Sequence, residues 1–116
     1  MFRVICLGRL TDPSKADIVV AAAWRLIEEE PHVRHGEAAI GLRIIEDLVP
    51  HAHYSWIFDF EDEQGWRAYM SGEPHHRFSE VVTPYLESAI ITEYQVGNEL
   101  NSRLARPAPE ILDSMH

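Results

Sequence analysis

The sequence predicts an α+β domain on the ferredoxin-like βαββαβ plan, and three observations carry that prediction. Residues 2–10 and 53–60 alternate with a period of two, the mark of strands with two unlike faces. Apolar residues between 14 and 30 recur at helical spacing and stop at Pro31. The remaining segments complete the order strand, helix, strand, strand, helix, strand. That order folds as a four-stranded antiparallel sheet with helices on one face.

In the first strand, Val4, Cys6, Gly8 and Leu10 share one face, while Arg3, Ile5, Leu7 and Arg9 take the other. Residues 11–14 form a turn, with Asp12 or Ser14 as N-cap of a helix reaching about Glu30. Ile18, Val19, Ala22, Ala23 and Leu26 make its apolar stripe. Glu28, Glu29 and Glu30 oppose the helix dipole at its C-terminal end and read as a solvated face. The second strand is expected from Val33 to about Ile45, loosened by Gly36 and Gly41. Residues 48–51 are a loop. In the third strand Tyr54, Trp56, Phe58 and Phe60 point one way, and His53, Ser55, Ile57 and Asp59 the other.

A short helix is predicted over residues 61–70, with Trp66 and Tyr69 one turn apart. Residues 71–74 break it, and Pro74 suits the first turn of a further helix carrying His75, His76, Phe78 and Val82. Residues 88–96 alternate as the last strand. The domain therefore spans 1–97, and 98–116, with two prolines and little periodicity, reads as a C-terminal tail or arm over a partner.

A sheet with helices on one face needs another cover for the second. Here that face mixes Ile5, Leu7 and Ile57 with Arg3, Arg9, His53 and Asp59, which suits an interface between two copies. Two such sheets meeting would close a dimeric α+β barrel, so a homodimer is expected. A chain of 116 residues buries roughly two thirds of its unfolded surface, leaving little interior for a cavity unless a second subunit helps to wall it.

The net charge of −9 repels a phosphate backbone and no run of Lys and Arg offsets it, so nucleic acid is an unfavoured partner. No apolar stretch reaches the length of a membrane span, and the N-terminus lacks a signal-peptide pattern. The single cysteine, Cys6, forms no internal disulfide, which fits a reducing cytoplasm. Cytoplasmic location without membrane or nucleic-acid contact is the expectation.

The run from Phe60 to Val96, FEDEQGWRAYMSGEPHHRFSEVVTPYLESAIITEYQV, resembles the stress-responsive dimeric A/B-barrel (Dabb) family. The likeness lies in the order of parts: a strand ending in an aromatic, acidic residues, an Ala-Tyr helix, a Pro-x-His element, and a strand ending Glu-Tyr-x-Val. MFRVICLGRL and EEEPHVRHGEAAIG fit the opening strand and the helix end, proline and second strand, so the resemblance covers residues 1–97. It implies a paired barrel. Through a plant polyketide cyclase of that family, it also implies aldol-type ring closure by a tyrosine and a histidine without a cofactor. Tyr69 matches the tyrosine, and His76 matches the histidine when Pro74 is aligned with the motif's proline. The two are then seven positions apart (76 − 69), one more than in the cyclase, because Gly72 stands as an insertion. Val4 replaces the family's first-strand histidine. Small residues at Gly8, Ala22 and Ala23 imply a differently shaped pocket.

Catalytic roles are accordingly expected for His76 as general base and Tyr69 as hydrogen-bond donor to an enolate. The substrate would be a small carbonyl compound of polyketide or aromatic type. Tyr54, Trp56, Phe58 and Trp66 are expected to wall the pocket, with Gly8 and Ala23 opening it; plain core packing explains the same aromatic ladder. No metal site is expected. His75 and His76 are adjacent on a helix and diverge, and His51 and His53 read as surface positions. Two other functions compete: a binding-only barrel protein, and a dimeric-barrel monooxygenase, for which the sequence offers no motif.

Overall fold

In a computed structural model, the structure describes residues 1–45 and 48–97. The expected tail or arm at 98–116 lies outside the described residues. The chain forms β1 (Phe2–Leu10), α1 (Ala16–Glu29), β2 (Val33–Ile40), β3 (Tyr54–Phe60), α2 (Glu63–Met70), α3 (Glu73–Val82) and β4 (Leu86–Gln95). The strands make one antiparallel sheet in the order β2-β3-β1-β4, the ferredoxin-like arrangement. No helix is long and apolar enough to cross a membrane among the described residues.

The alternation in β1 and β3 becomes the division between core and outer face. Phe2, Val4, Cys6 and Leu10 from β1 and Tyr54, Trp56, Phe58 and Phe60 from β3 are buried beneath the helices. Ala16, Val19, Ala23 and Leu26 cover them from α1, and Phe78 and Val82 from α3. Trp56 stacks on Phe58 at 4.2 Å and 9°, so the ladder has a continuous aromatic side.

β2 is shorter than expected. It stops at Ile40, and at Gly41 the chain passes the residues just before β3 so closely that a Cβ there would collide with the Ala52 carbonyl oxygen. Glu30 also departs from the solvated face expected of it. It is buried, and its Oε1 accepts from the His32 backbone at 3.3 Å and meets His32 Nδ1 at 2.7 Å.

On the outer face, Arg3 grips the buried carboxylate of Asp59 through two bonds of 2.7 and 2.9 Å, with His35 Nδ1 3.8 Å away. Arg9 reaches Glu87 at 3.7 Å. Between these polar edges run Ile5, Leu7, Ile57 and Ile90, brought side by side by the register Ile5↔Ile57 and Leu7↔Ile90. Leu7 is 48% exposed and Ile90 74%.

β4 is uncovered on its helix side as well. Every residue from Leu86 to Glu93 is exposed, because α1 and α2 lie over β2 and β3. The gap between β4 and α3 is where the cavity opens.

Candidate active site

A cavity of about 220 Å³ lies between the sheet and the α2–α3 corner. Val4, Cys6, Tyr54 and Trp56 form its floor, and Trp66, Tyr69, Met70, His75, Phe78, Ser79 and Val82 its helical wall. Ala89, Ile91 and Glu93 of β4 complete the side that faces solvent. Its volume falls below that of drug-sized pockets, which suits a small ligand.

Tyr69 sits near the end of α2 with its ring buried against Phe58 (6.2 Å, 76°) and Phe60 (5.1 Å, 42°). Burial pushes its phenol well above the ordinary tyrosine range, and the nearby Glu30 and Cys6 push in the same direction. Tyr69 therefore stays protonated at neutral pH and can donate a hydrogen bond. Ser71 ends α2, Gly72 caps α3, and the corner is closed by the Gly72 N–H donating to the Tyr69 carbonyl at 3.0 Å. This tight reversal brings the first turn of α3 back against the end of α2.

The histidine so placed is His75, not His76. The His75 ring lies edge-on to Tyr69, 4.8 Å away at 64°, and lines the cavity. Its Nδ1 is 2.9 Å from the carbonyl oxygen of Met70. A carbonyl only accepts, so Nδ1 carries the proton in the neutral ring and the Nε2 lone pair is left free to take one. His76 points outward, 67% exposed, with Nε2 3.0 Å from Glu80 Oε1 one turn along α3. Adjacent residues on a helix diverge by about 100°, so one of the two must face away. Gly72 is the reason for the misassignment. Counting it as an insertion puts the histidine at the seventh position after Tyr69, whereas the ring that faces Tyr69 belongs to the sixth (75 − 69), so no extra residue separates the pair.

Of the expected pocket residues, Tyr54, Trp56 and Trp66 line the cavity. Phe58 lies wholly beneath it in the core, and Ala23 is buried under α1 away from it. Gly8 does not open the cavity. It pairs with Tyr54 across the sheet, and the Tyr54 ring folds over it so closely that a Cβ there would stand 2.1 Å from Cζ. The missing side chain makes room for Tyr54, not for a ligand. Tyr54 in turn lies beside Cys6.

Sequence reasoning missed two cavity residues, His75 as a facing imidazole and Glu93 as a carboxylate at the mouth. Among the described residues no three His, Cys, Asp or Glu side chains gather as a metal site requires. His53 is buried, not a surface residue: its Nδ1 accepts from the Leu10 N–H at 2.8 Å, where the β1–β4 register shifts.

Burial pushes the Cys6 thiol up to about 11 from 9.0, and it lifts Tyr54 and Tyr69 in the same sense. In each case the folded state holds its proton to higher pH than the unfolded chain. The associated stability is complete below pH 9 and is lost as pH rises toward 11. Urea denaturation at about pH 8 and about pH 10.5 should show a drop of at least ~1 kcal/mol at the higher pH. Equal stability at both would contradict the buried placement of these groups.

No family model matches the sequence, and neither does any curated protein. Solved structures do match. A dimeric ferredoxin-like protein of unknown function from Thermobifida fusca superposes with a TM-score of 0.71 at 20% identity, over 82% of this chain and 90% of its own. A Dabb family protein with a ferredoxin-like fold from Mesorhizobium loti gives 0.69 at 17%, over 84% and 97%. The hydroxynitrile lyase of Passiflora edulis gives 0.70 at 18%, over 84% and 94%. The shared property is the fold. These neighbours include both an enzyme and a protein of unknown function, so the fold admits catalysis without naming a reaction.

Proposed function

We propose that this chain is a cofactor-independent acid–base enzyme of the polyketide cyclase or lyase type, acting on a small carbonyl compound and working as a homodimer. One observation carries the chemistry: His75, its Nδ1 proton held by the Met70 carbonyl, faces the buried Tyr69 in a single cavity. Nε2 takes a proton from the carbon next to the carbonyl, and the electron pair moves onto the carbonyl oxygen. The Tyr69 hydroxyl hydrogen-bonds that enolate oxygen. The enolate carbon then attacks a second carbonyl, and the imidazolium returns its proton to the new alkoxide. Run backwards, the same steps make a lyase. Tyr54, Trp56 and Trp66 supply apolar wall, and small size suits the substrate to the cavity.

The test needs no knowledge of the true substrate. In D2O, acetophenone, phenylacetaldehyde and a linear triketide ester are followed by NMR for deuterium entering next to the carbonyl. The protein is expected to accelerate exchange in at least one of them. No acceleration over buffer in any would count against the enzyme reading and favour a barrel that only binds.

Pairing is supported by the apolar strip of Ile5, Leu7, Ile57 and Ile90 on the outer face. The Thermobifida neighbour, itself dimeric, has the same fold.

A further inference from the structure

We infer that the cavity admits uncharged carbonyl compounds and turns away carboxylates, with Glu93 as the residue that determines this choice. The inference rests on reading the cavity as the active site and goes on to name its substrate class. Among the described residues Glu93 is the one charged side chain that lines it. The register Val4↔Glu93 puts it on the helix side of β4, in line with Ala89 and Ile91, at the mouth.

The remaining polar groups in the lining are Cys6, Tyr54, Tyr69, His75, Ser79, Thr83 and the indole N–H groups of Trp56 and Trp66; the thiol and the two phenols are held neutral by burial. Among the described residues no lysine or arginine lines the cavity. Three guanidiniums adjoin lining residues in sequence, and each is engaged elsewhere: Arg67 lies 5.7 Å over the Trp66 ring with Nε 3.0 Å from Glu63 Oε2, Arg77 is 3.0 Å from Glu29 Oε2, and Arg3 holds Asp59 on the outer face.

A carboxylate entering this space would leave its hydration without meeting a cation, and would face Glu93 as a like charge. The chain's net charge of −9 adds a repulsion of the same sign at longer range. An uncharged ligand escapes both costs, and a hydroxyl or amide N–H on it can donate to the Glu93 carboxylate.

Benzamide and benzoate make the comparison at nearly constant shape. Binding is read at about pH 8 from the indole N–H signals of the 15N-labelled protein. Trp56 and Trp66 report on the cavity, and Trp24, whose Nε1–H donates to the Ala38 carbonyl at 3.1 Å outside it, is the internal control. Benzamide should shift Trp56 and Trp66 and leave Trp24 in place. Benzoate should bind about tenfold more weakly, and Glu93→Gln should bring the two within about threefold. Equal binding of benzoate and benzamide to the unaltered protein would overturn the inference, as would a gap that persists in Glu93→Gln. If neither compound moves Trp56 or Trp66 in either protein, the active-site reading itself falls.

Discussion

Replacing His75 with alanine should lower α-deuterium exchange by about a hundredfold to ten-thousandfold, the usual contribution of a positioned general base. His76→Ala should leave it within about twofold. The contrast is the informative part, since the two residues are neighbours in sequence and identical in chemistry. His75 lies against Tyr69 in the cavity with its Nδ1 proton held by Met70. His76 stands in solvent beside Glu80, and losing that pair costs at most a few tenths of a kcal/mol of helix stability. Tyr69→Phe should reduce exchange without unfolding the protein, because the ring contacts with Phe58 and Phe60 are kept. Equal losses in His75→Ala and His76→Ala would contradict the assignment.

A double change of Leu7 and Ile90 to lysine should turn a homodimer into a folded monomer. The two lie opposite one another on the outer sheet face and are both exposed in the single chain. A two-fold interface uses the same patch from each copy, so two positions place four side chains in it. At about 1.5 kcal/mol for each aliphatic side chain withdrawn from water, the loss approaches ~6 kcal/mol, or roughly ten-thousandfold in Kd. Sedimentation velocity of both proteins at micromolar concentration reads the change. Circular dichroism should show the fold retained, since neither side chain supports the core under the helices. If the lysine variant sediments with the original mass, pairing does not use this face.

Much of the fold was legible because its signals are local. Alternation in β1 and β3 marked which side chains meet the helices, and the aromatic ladder from Tyr54 to Phe60 is buried as its period implied. The end of β2 was not legible, because it depends on where Gly41 meets Ala52, just beyond the paired strands. Gly8 shows the same limit. Its lack of a side chain was visible in the sequence, but the ring that fills the space comes from Tyr54, 46 residues later (54 − 8), through strand register.

The candidate site was half legible. Tyr69 and the walls at Tyr54, Trp56 and Trp66 followed from pattern and resemblance. His75 was missed because alignment on Pro74 hid a signal within α3 itself. Residues 75, 78, 79 and 82 share one helical face, and Phe78 and Val82 are the buried ones. His76 and Glu80 share another, and both are polar. Glu93 was not legible as a cavity residue, because alternation in an edge strand does not show whether the helices above leave a gap.

The most direct test of the central claim is the tautomer of His75, read from long-range 1H–15N correlations of the imidazole nitrogens. The neutral ring should carry its proton on Nδ1, with Nε2 showing the resonance of a free lone pair, and Nε2 should move when benzamide enters the cavity. A His75 that is protonated on Nε2, or whose Nε2 ignores a bound ligand, would mean that the cavity holds no base positioned for this chemistry.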